Sequence, residues 1–247
     1  MNIRGLIFDV NGTLIDINTN EGSEGIYHVM SNFLIYQGIA LSRQMVHDLF
    51  FQFMKEYRQA SDESYPEFDA VGIFREIITR YASAFTRTLL AEKLEQLPLL
   101  LAEIFRAASL CRLSLYPGVK EVLDHLRPQY RLTAISDAQR AWAIPELNAV
   151  GLLDYFAPII ISSDLGYRKP DIRIFRQALD GLGLEPSEVL FVGNDMYRDI
   201  FGAQQLGLKT VFFKSNQGDQ QRDRVEPDYI IYQFPELLNA IEFFKVR

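Results

Sequence analysis

Three features of the 247-residue chain predict an α/β fold, with a parallel sheet drawn from both ends of the chain and an α-helical bundle inserted into it. A short apolar run, residues 3–8, ends at Asp9 and passes into the turn-forming pair Asn11-Gly12, the pattern of a buried strand entering a loop. From about residue 22 to about residue 110 the apolar residues recur at helical spacing. Beyond Pro117-Gly118, short β-rich runs alternate with helical stretches, as in a parallel sheet covered on both faces. The first strand joins that sheet, so residues 1–16 and 112–247 are expected to form the sheet domain and residues 17–111 the inserted helical domain.

Each inserted helix rests on its own stripe. Ile26, Met30, Phe33 and Leu34 repeat once per turn, and Gly38 provides a stop. Ser42 caps a second stripe of Met45, Val46, Leu49, Phe50, Phe53, Met54 and Tyr57. Ile73, Phe74, Ile77, Ile78, Tyr81 and Phe85 make a third. The fourth is Leu90, Leu94, Leu97, Leu101, Ile104 and Phe105, and Pro98 within it is expected to kink or split the helix. Four amphipathic helices in sequence make a small bundle, and the Met and Phe stripes read as its core. In the alternating part, strands are expected at residues 132–135, 159–161, 189–192, 210–213 and 229–231, with helices at 119–126, 141–150, 172–182 and 200–206. The polar segment 18–24 reads as a hinge between the two parts.

Composition narrows the function. Apolar residues make up 48% and charged residues 23%, which belongs to a folded globular protein. Lys and Arg number 25 against 32 Asp and Glu, a net charge of −7 that argues against a nucleic-acid binder tracking phosphates with a basic stripe. A single cysteine, Cys111, rules out an internal disulfide and a multi-cysteine zinc site and fits a reducing compartment. The N-terminal apolar run is too short for a signal peptide, and no window approaches the roughly 18 apolar residues of a membrane span. The expectation is a cytoplasmic protein, monomer or homodimer, with no nucleic-acid or membrane partner. His28, His47 and His125 stand apart from any zinc-binding pattern, and no phosphate-loop or dinucleotide fingerprint is present.

Ligands of such sheets sit at the carboxyl ends of the strands. Four points qualify: Asp9 to Leu14, Ser136-Asp137, Gly166 to Asp171 and Gly193 to Asp199. Taken singly, Asn11-Gly12 reads as a turn, Ser136 as a helix cap, Lys169 as a loop cation, and Asp195 and Asp199 as complements to a helix N-terminus. Together, an acid, a hydroxyl, a cation and a further acid pair at one sheet edge form an inventory for phosphate and magnesium.

These residues resemble the haloacid dehalogenase-like hydrolase superfamily, whose first-strand motif is Asp-x-Asp-Gly-Thr. The resemblance extends through Ser136, the Gly-x-x-Lys-Pro-Asp segment and the acid motif before Ile200-Phe201-Gly202-Ala203, and implies a Rossmann-like core with a helical cap. It implies that Asp9 attacks phosphorus to form an aspartyl-phosphate. Gly12, Thr13, Ser136, Asp137 and Lys169 would hold the phosphoryl group, and Mg2+ would lie among Asp9, Asn11, Asp195 and Asp199. Two positions depart from the motif. Asn11 stands where the proton-shuttling acid is usual, and an amide forfeits a general acid-base contribution of typically ~100- to 10,000-fold. The usual Gly-Asp is Gly193-Asn194, so the acid expected at the metal is Asp195, one place later, with Asp199 supporting it. The resulting expectation is a magnesium-dependent phosphatase of a small phosphorylated metabolite. The alternatives are a 2-haloacid dehalogenase-type hydrolase, whose halide leaves without a proton, and a catalytically weakened protein that binds a phosphorylated ligand.

Overall fold

A computed structural model describes residues 1–246. Along the chain the elements are β1 (Gly5–Asp9), β2 (Ile15–Thr19), α1 (Glu24–Tyr36), α2 (Arg43–Ala60), α3 (Ala70–Tyr81), α4 (Ala91–Ser109), β3 (Leu110–Leu115) and α5 (Val119–Leu126). There follow β4 (Arg131–Ser136), α6 (Arg140–Ala149), β5 (Ile159–Ile161), α7 (Ile172–Leu182), β6 (Val189–Gly193), the short α8 (Gly202–Gln204), β7 (Lys209–Phe213), β8 (Tyr229–Ile231) and α9 (Leu237–Val246).

Six strands form a parallel sheet in the order β5-β4-β1-β6-β7-β8. All five residues of β1 are buried, because side chains alternate between two covered faces. Leu6 and Phe8 face a core shared with α5 and α9, whereas Ile7 faces Phe175 and Ala178 of α7. The chain winds outward from β1 through β4 and β5, then returns to the other side of β1 with β6. That reversal opens a crevice at the carboxyl end of β1, the place where open α/β sheets take their ligands.

The expected strands and crossover helices are present, with shifts of a residue or two at their ends, except that the helix expected at 200–206 is a wide turn over Met196–Phe201 followed by the three-residue α8. Four further features differ from expectation. β2 pairs antiparallel with β3, so a two-stranded ribbon carries the chain into and out of the helices and spans both boundaries at 16/17 and 111/112. The segment read as a hinge has Asn18 and Thr19 in that ribbon, and Glu21 accepts a hydrogen bond from Tyr27 at its main-chain oxygen (2.6 Å). Pro98 lies inside an unbroken α4, where it is buried together with Leu97, Leu101, Ala102 and Phe105; packing on both sides of the proline holds the helix through its missing hydrogen bond. The stripes are also shorter than their spacing suggests, since Met45, Tyr57, Tyr81, Phe85 and Leu90 at the helix ends are exposed.

Helices α1 to α4 share one core, and the sheet side of the molecule contributes a side chain to it. Trp142 of α6 stacks on Phe105 with ring centres 6.0 Å apart, and its Nε1 donates to the Ala102 carbonyl at 2.8 Å. Arg106 lies over the same indole and pairs with Glu146 at 2.5 Å. Gln139 reaches across as well: its Oε1 accepts from the Ala70 N–H and its Nε2 donates to the Phe68 carbonyl, both at 2.8 Å. It thereby caps α3 from outside, where Asp69 makes no side-chain cap.

Trp142→Ala is expected to destabilise the protein by about 3–5 kcal/mol, the usual range for emptying a buried aromatic site. Urea unfolding followed by circular dichroism reads this directly, and a loss below about 1 kcal/mol would show that the indole does not couple the helices to the sheet.

Candidate active site

Asp9 is the last residue of β1 and is 5% exposed. Its Oδ1 accepts from Lys169 Nζ at 2.5 Å, and its Oδ2 accepts from the Thr13 hydroxyl at 2.8 Å. The same ammonium donates to Asp199 Oδ1 at 2.7 Å, so one buried cation bridges two buried carboxylates. Burial alone would push Lys169 down, but the charges of Asp199 and Asp9 outweigh it and hold the ammonium above its usual range. Burial and the neighbouring Asp9 push the Asp199 carboxyl up to about 6, against the pull of Lys169.

Local backbone geometry explains how these groups meet. After Asp9 the chain turns so tightly that the Gly12 N–H donates to the Ile15 carbonyl at 2.8 Å. Gly12 has φ +94°, and a Cβ there would collide with the side-chain amide of Asn194. Ser136 ends β4 beside Asp9, since Asp9 registers with Ile135. Among the described residues, neither the buried Ser136 Oγ nor the buried Asn11 Oδ1 finds a hydrogen-bond partner, although buried polar atoms are normally satisfied. Asp9, Thr13, Ser136, Lys169 and Asp199 are thus gathered at one sheet edge, with Asn11 and Gly12 in the adjoining turn.

Asp137 and Asp195 do something other than expected. Asp137 Oδ1 accepts from the Lys169 backbone N–H at 3.0 Å, which positions the lysine; burial pushes this carboxyl up. A carboxylate and a phosphoryl group are both acceptors, so the Asp137 side chain is a poor partner for phosphate, and only its main-chain N–H could donate to one. Asp195 caps the wide helical turn Met196–Phe201, accepting from the N–H groups of Tyr197 (3.0 Å) and Arg198 (2.7 Å). Its other oxygen accepts from Arg198 Nε at 2.9 Å and from the Asp219 N–H at 3.1 Å. Burial works against the charge on Asp195, but Arg198 and these donors hold its carboxyl below the usual value. Asn194 faces the site instead, with Oδ1 3.1 Å from the Thr13 hydroxyl. Asp199 completes the turn by accepting from the N–H groups of Asn194 (3.0 Å) and Asp195 (3.1 Å) on Oδ2.

The fit to magnesium follows from these partners. Mg2+ takes hard oxygen donors, commonly one or two carboxylates with waters and substrate phosphate. Asp195 has both oxygens committed elsewhere and Asp199 is bound to Lys169 and two amides, which leaves Asp9, itself bonded to Lys169 and Thr13, the Asn11 main-chain carbonyl and the neutral side-chain amides of positions 11 and 194. Among the described residues, no group of three or more His, Cys, Asp or Glu side chains is placed to hold a metal ion. With Asp9 as the one carboxylate facing this turn and every other donor neutral, the set falls short of a dedicated magnesium site that would hold the ion before substrate binds.

Two further features lay outside the sequence reading. The loop after β7 packs on Asn194, with Gly218 (φ +77°) so close that a Cβ would meet the Asn194 carbonyl; the strand-end rule that picks out the other loops also points here. The segment between α2 and α3, which lacks any apolar period, lies across the loops that follow β5 and β6. Tyr65 meets Tyr197 hydroxyl to hydroxyl at 3.2 Å, and the Tyr65 carbonyl accepts from the Arg168 N–H at 3.0 Å. Glu67 accepts from the Ser162 hydroxyl at 2.8 Å, and Arg173 pairs with Glu63.

Residues 3–207 match the family model described as haloacid dehalogenase-like hydrolase. The chain is 33% identical over 129 residues to glyceraldehyde 3-phosphate phosphatase of Pyrococcus furiosus, covering 51% of this chain and 54% of that one. To the protein of the same name from Methanothermobacter thermautotrophicus it is 25% identical over 225 residues, 91% of each. The first of these alignments therefore spans about half of the relative's length. The structure of a 2-haloacid dehalogenase from Pseudomonas syringae pv. Tomato DC3000 superposes with a TM-score of 0.69 at 22% identity, covering 98% of this chain and 99% of that one, a likeness of fold.

Lys169→Met is expected to destabilise the fold by about 3–5 kcal/mol, because it leaves two buried carboxylates without their shared counter-charge. Urea unfolding at a series of pH values checks this. The loss should shrink as the pH falls towards about 6, because without the ammonium Asp199 takes up its proton at a higher pH than in wild type, and should level off below that, where both proteins carry it; a loss independent of pH would show that the ammonium does not act through this charge.

Proposed function

The chain belongs to the haloacid dehalogenase-like hydrolase family, and we propose that it hydrolyses the phosphoric monoester of a small metabolite, with Asp9 as the nucleophile. The observation that carries this reading is the buried Asp9 carboxylate, bonded to Lys169 and Thr13 at the mouth of the sheet crevice, with unpartnered Ser136 Oγ alongside. The names of the curated relatives support the same class of substrate.

In this reading Asp9 attacks phosphorus, the phosphorus–oxygen ester bond breaks, and the alcohol departs with a proton from water. Water then attacks the aspartyl-phosphate, releasing inorganic phosphate and restoring Asp9. Lys169 offsets the repulsion between Asp9 and the incoming anion, Thr13 orients the carboxylate, and the Ser136 hydroxyl donates to a phosphoryl oxygen. Asp137 acts through the lysine as a positioning residue. Magnesium, expected from the resemblance, enters no step, because the donors around Asp9 do not suit it. The helical insertion serves as a cap, supported by the contacts of Tyr65 and Glu67 with the loops around the site, and by this placement excludes bulk water from the crevice. A cytoplasmic setting belongs to the same proposal. The lone Cys111 fits it, and no helix among the described residues is long and apolar enough to cross a membrane.

The amide at position 11 favours a second reading, hydrolysis of a carbon–halogen bond, since a halide leaves without being protonated. A substrate panel separates the two. p-Nitrophenyl phosphate should release nitrophenol with wild-type protein and at background rate with Asp9→Ala. A flat progress curve over a broad phosphate panel, with chloride released from a 2-haloacid, would decide for the second reading. Asn11→Asp should raise turnover roughly 100-fold for alkyl phosphates, whose leaving groups need a proton, and far less for p-nitrophenyl phosphate. Equal gains on both would refute the missing-acid role of position 11.

A further inference from the structure

We infer that this centre works without a divalent metal, and that the side-chain amide of Asn194 is what sets that state. The inference deepens the phosphoester reading; its catalytic arm rests on that reading, whereas its binding arm does not.

Asn194 follows β6, the strand beside β1, and is 2% exposed. Its side chain comes to the Thr13 hydroxyl and lies against Gly12, in the turn that Asp9 opens. Position 194 is therefore the place after β6 from which a side chain reaches the Asp9 turn. The neighbouring Asp195 is turned outward onto Arg198 and the Asp219 N–H. Gly12 and Gly218 both have positive φ and press on Asn194 from two sides, so the residue cannot exchange places with Asp195 without moving both loops.

Charge explains what the amide does. Asp9 and Asp199 share the Lys169 ammonium, which leaves a single net negative charge among the groups in direct contact. Carboxylates at positions 11 and 194 would add two more, and a bound dication would restore the total to one. With amides at both positions the balance is reached with no dication at all. A magnesium ion entering the amide-lined site would have to surrender strongly held water for neutral donors, an unfavourable exchange for so hard an ion. Asp137 and Asp195, with Arg198 4.0 Å from the first and 2.8 Å from the second, add one further negative charge to each of these tallies and so leave the comparison between amides and carboxylates unchanged.

Calorimetric titration of the full chain with MgCl2, with thermal unfolding in parallel, tests this. Wild-type protein is expected to give no saturable heat, and a Tm that MgCl2 moves no further than NaCl of equal ionic strength does. Asn194→Asp, which adds a charge beside Asp9, is expected to melt lower than wild type without the metal. It should regain that loss as Mg2+ saturates it, with an affinity at least about tenfold above wild type. Should that variant fail to fold, Asn11→Asp makes the same measurement at the other amide. Saturable, stoichiometric Mg2+ binding by wild type overturns the inference, as does a folded variant that binds the ion no better than wild type. In the catalytic arm, EDTA should leave p-nitrophenyl phosphate hydrolysis by wild type unchanged, and a loss greater than about twofold overturns the inference. Absence of hydrolysis with and without Mg2+ would sink the phosphoester reading, while the calorimetry still decides the metal.

Discussion

The contact on which the site depends is the Lys169 ammonium, held between Asp9 and Asp199 at 2.5 and 2.7 Å with almost no access to water. Three strand ends must converge for it to exist. Asp9 terminates β1, Asp199 lies on the turn after β6, and the loop after β5 delivers Lys169, whose backbone is fixed by Asp137. Any one of the charges left alone in this interior would be costly, so the three loops are mutually dependent. The same contact places the chemistry, since it sets the Lys169 ammonium against the Asp9 carboxylate at the end of β1.

Around that charge cluster, close backbone approach does the positioning. Gly12 and Gly218 let two loops close on Asn194, and Asp199 gathers the amides of Asn194 and Asp195. The wide turn that follows β6 leaves Asp195 capping its own N-terminus and ion-paired with Arg198, while Asn194 points inward. A shift of one residue along this turn would exchange an amide for a carboxylate at the site, so register decides the chemistry of the centre as much as composition does.

Helices α1 to α4 are coupled to the sheet and its helices by a few specific groups. Trp142 enters the core shared by α1 to α4, Gln139 caps α3, and Arg106, lying over the indole, pairs with Glu146. The β2–β3 ribbon joins the two parts covalently and by pairing. These attachments escaped the sequence reading because each is a single polar or aromatic residue on a helix whose periodicity concerns a different neighbour. The ribbon escaped it because Ile15 and Ile17 give only two turns of alternation before the polar segment begins.

Local pattern was sufficient for the sheet, the order of its elements and the placement of Asp9, Ser136 and Lys169 at one edge. The alternation of buried strands and amphipathic helices leaves one economical topology, and strand ends are legible in it. Helices α1 to α4 were legible for the same reason, their stripes repeating at the helical period. What local pattern did not carry was the direction of individual side chains at loops. That Asp195 turns outward, that Asn194 turns inward and that Asp137 serves Lys169 all depend on hydrogen-bond donors brought in from residues 169, 198 and 219. A loop residue takes its orientation from whichever partners the packed chain sets beside it, and those partners become neighbours only in the folded molecule.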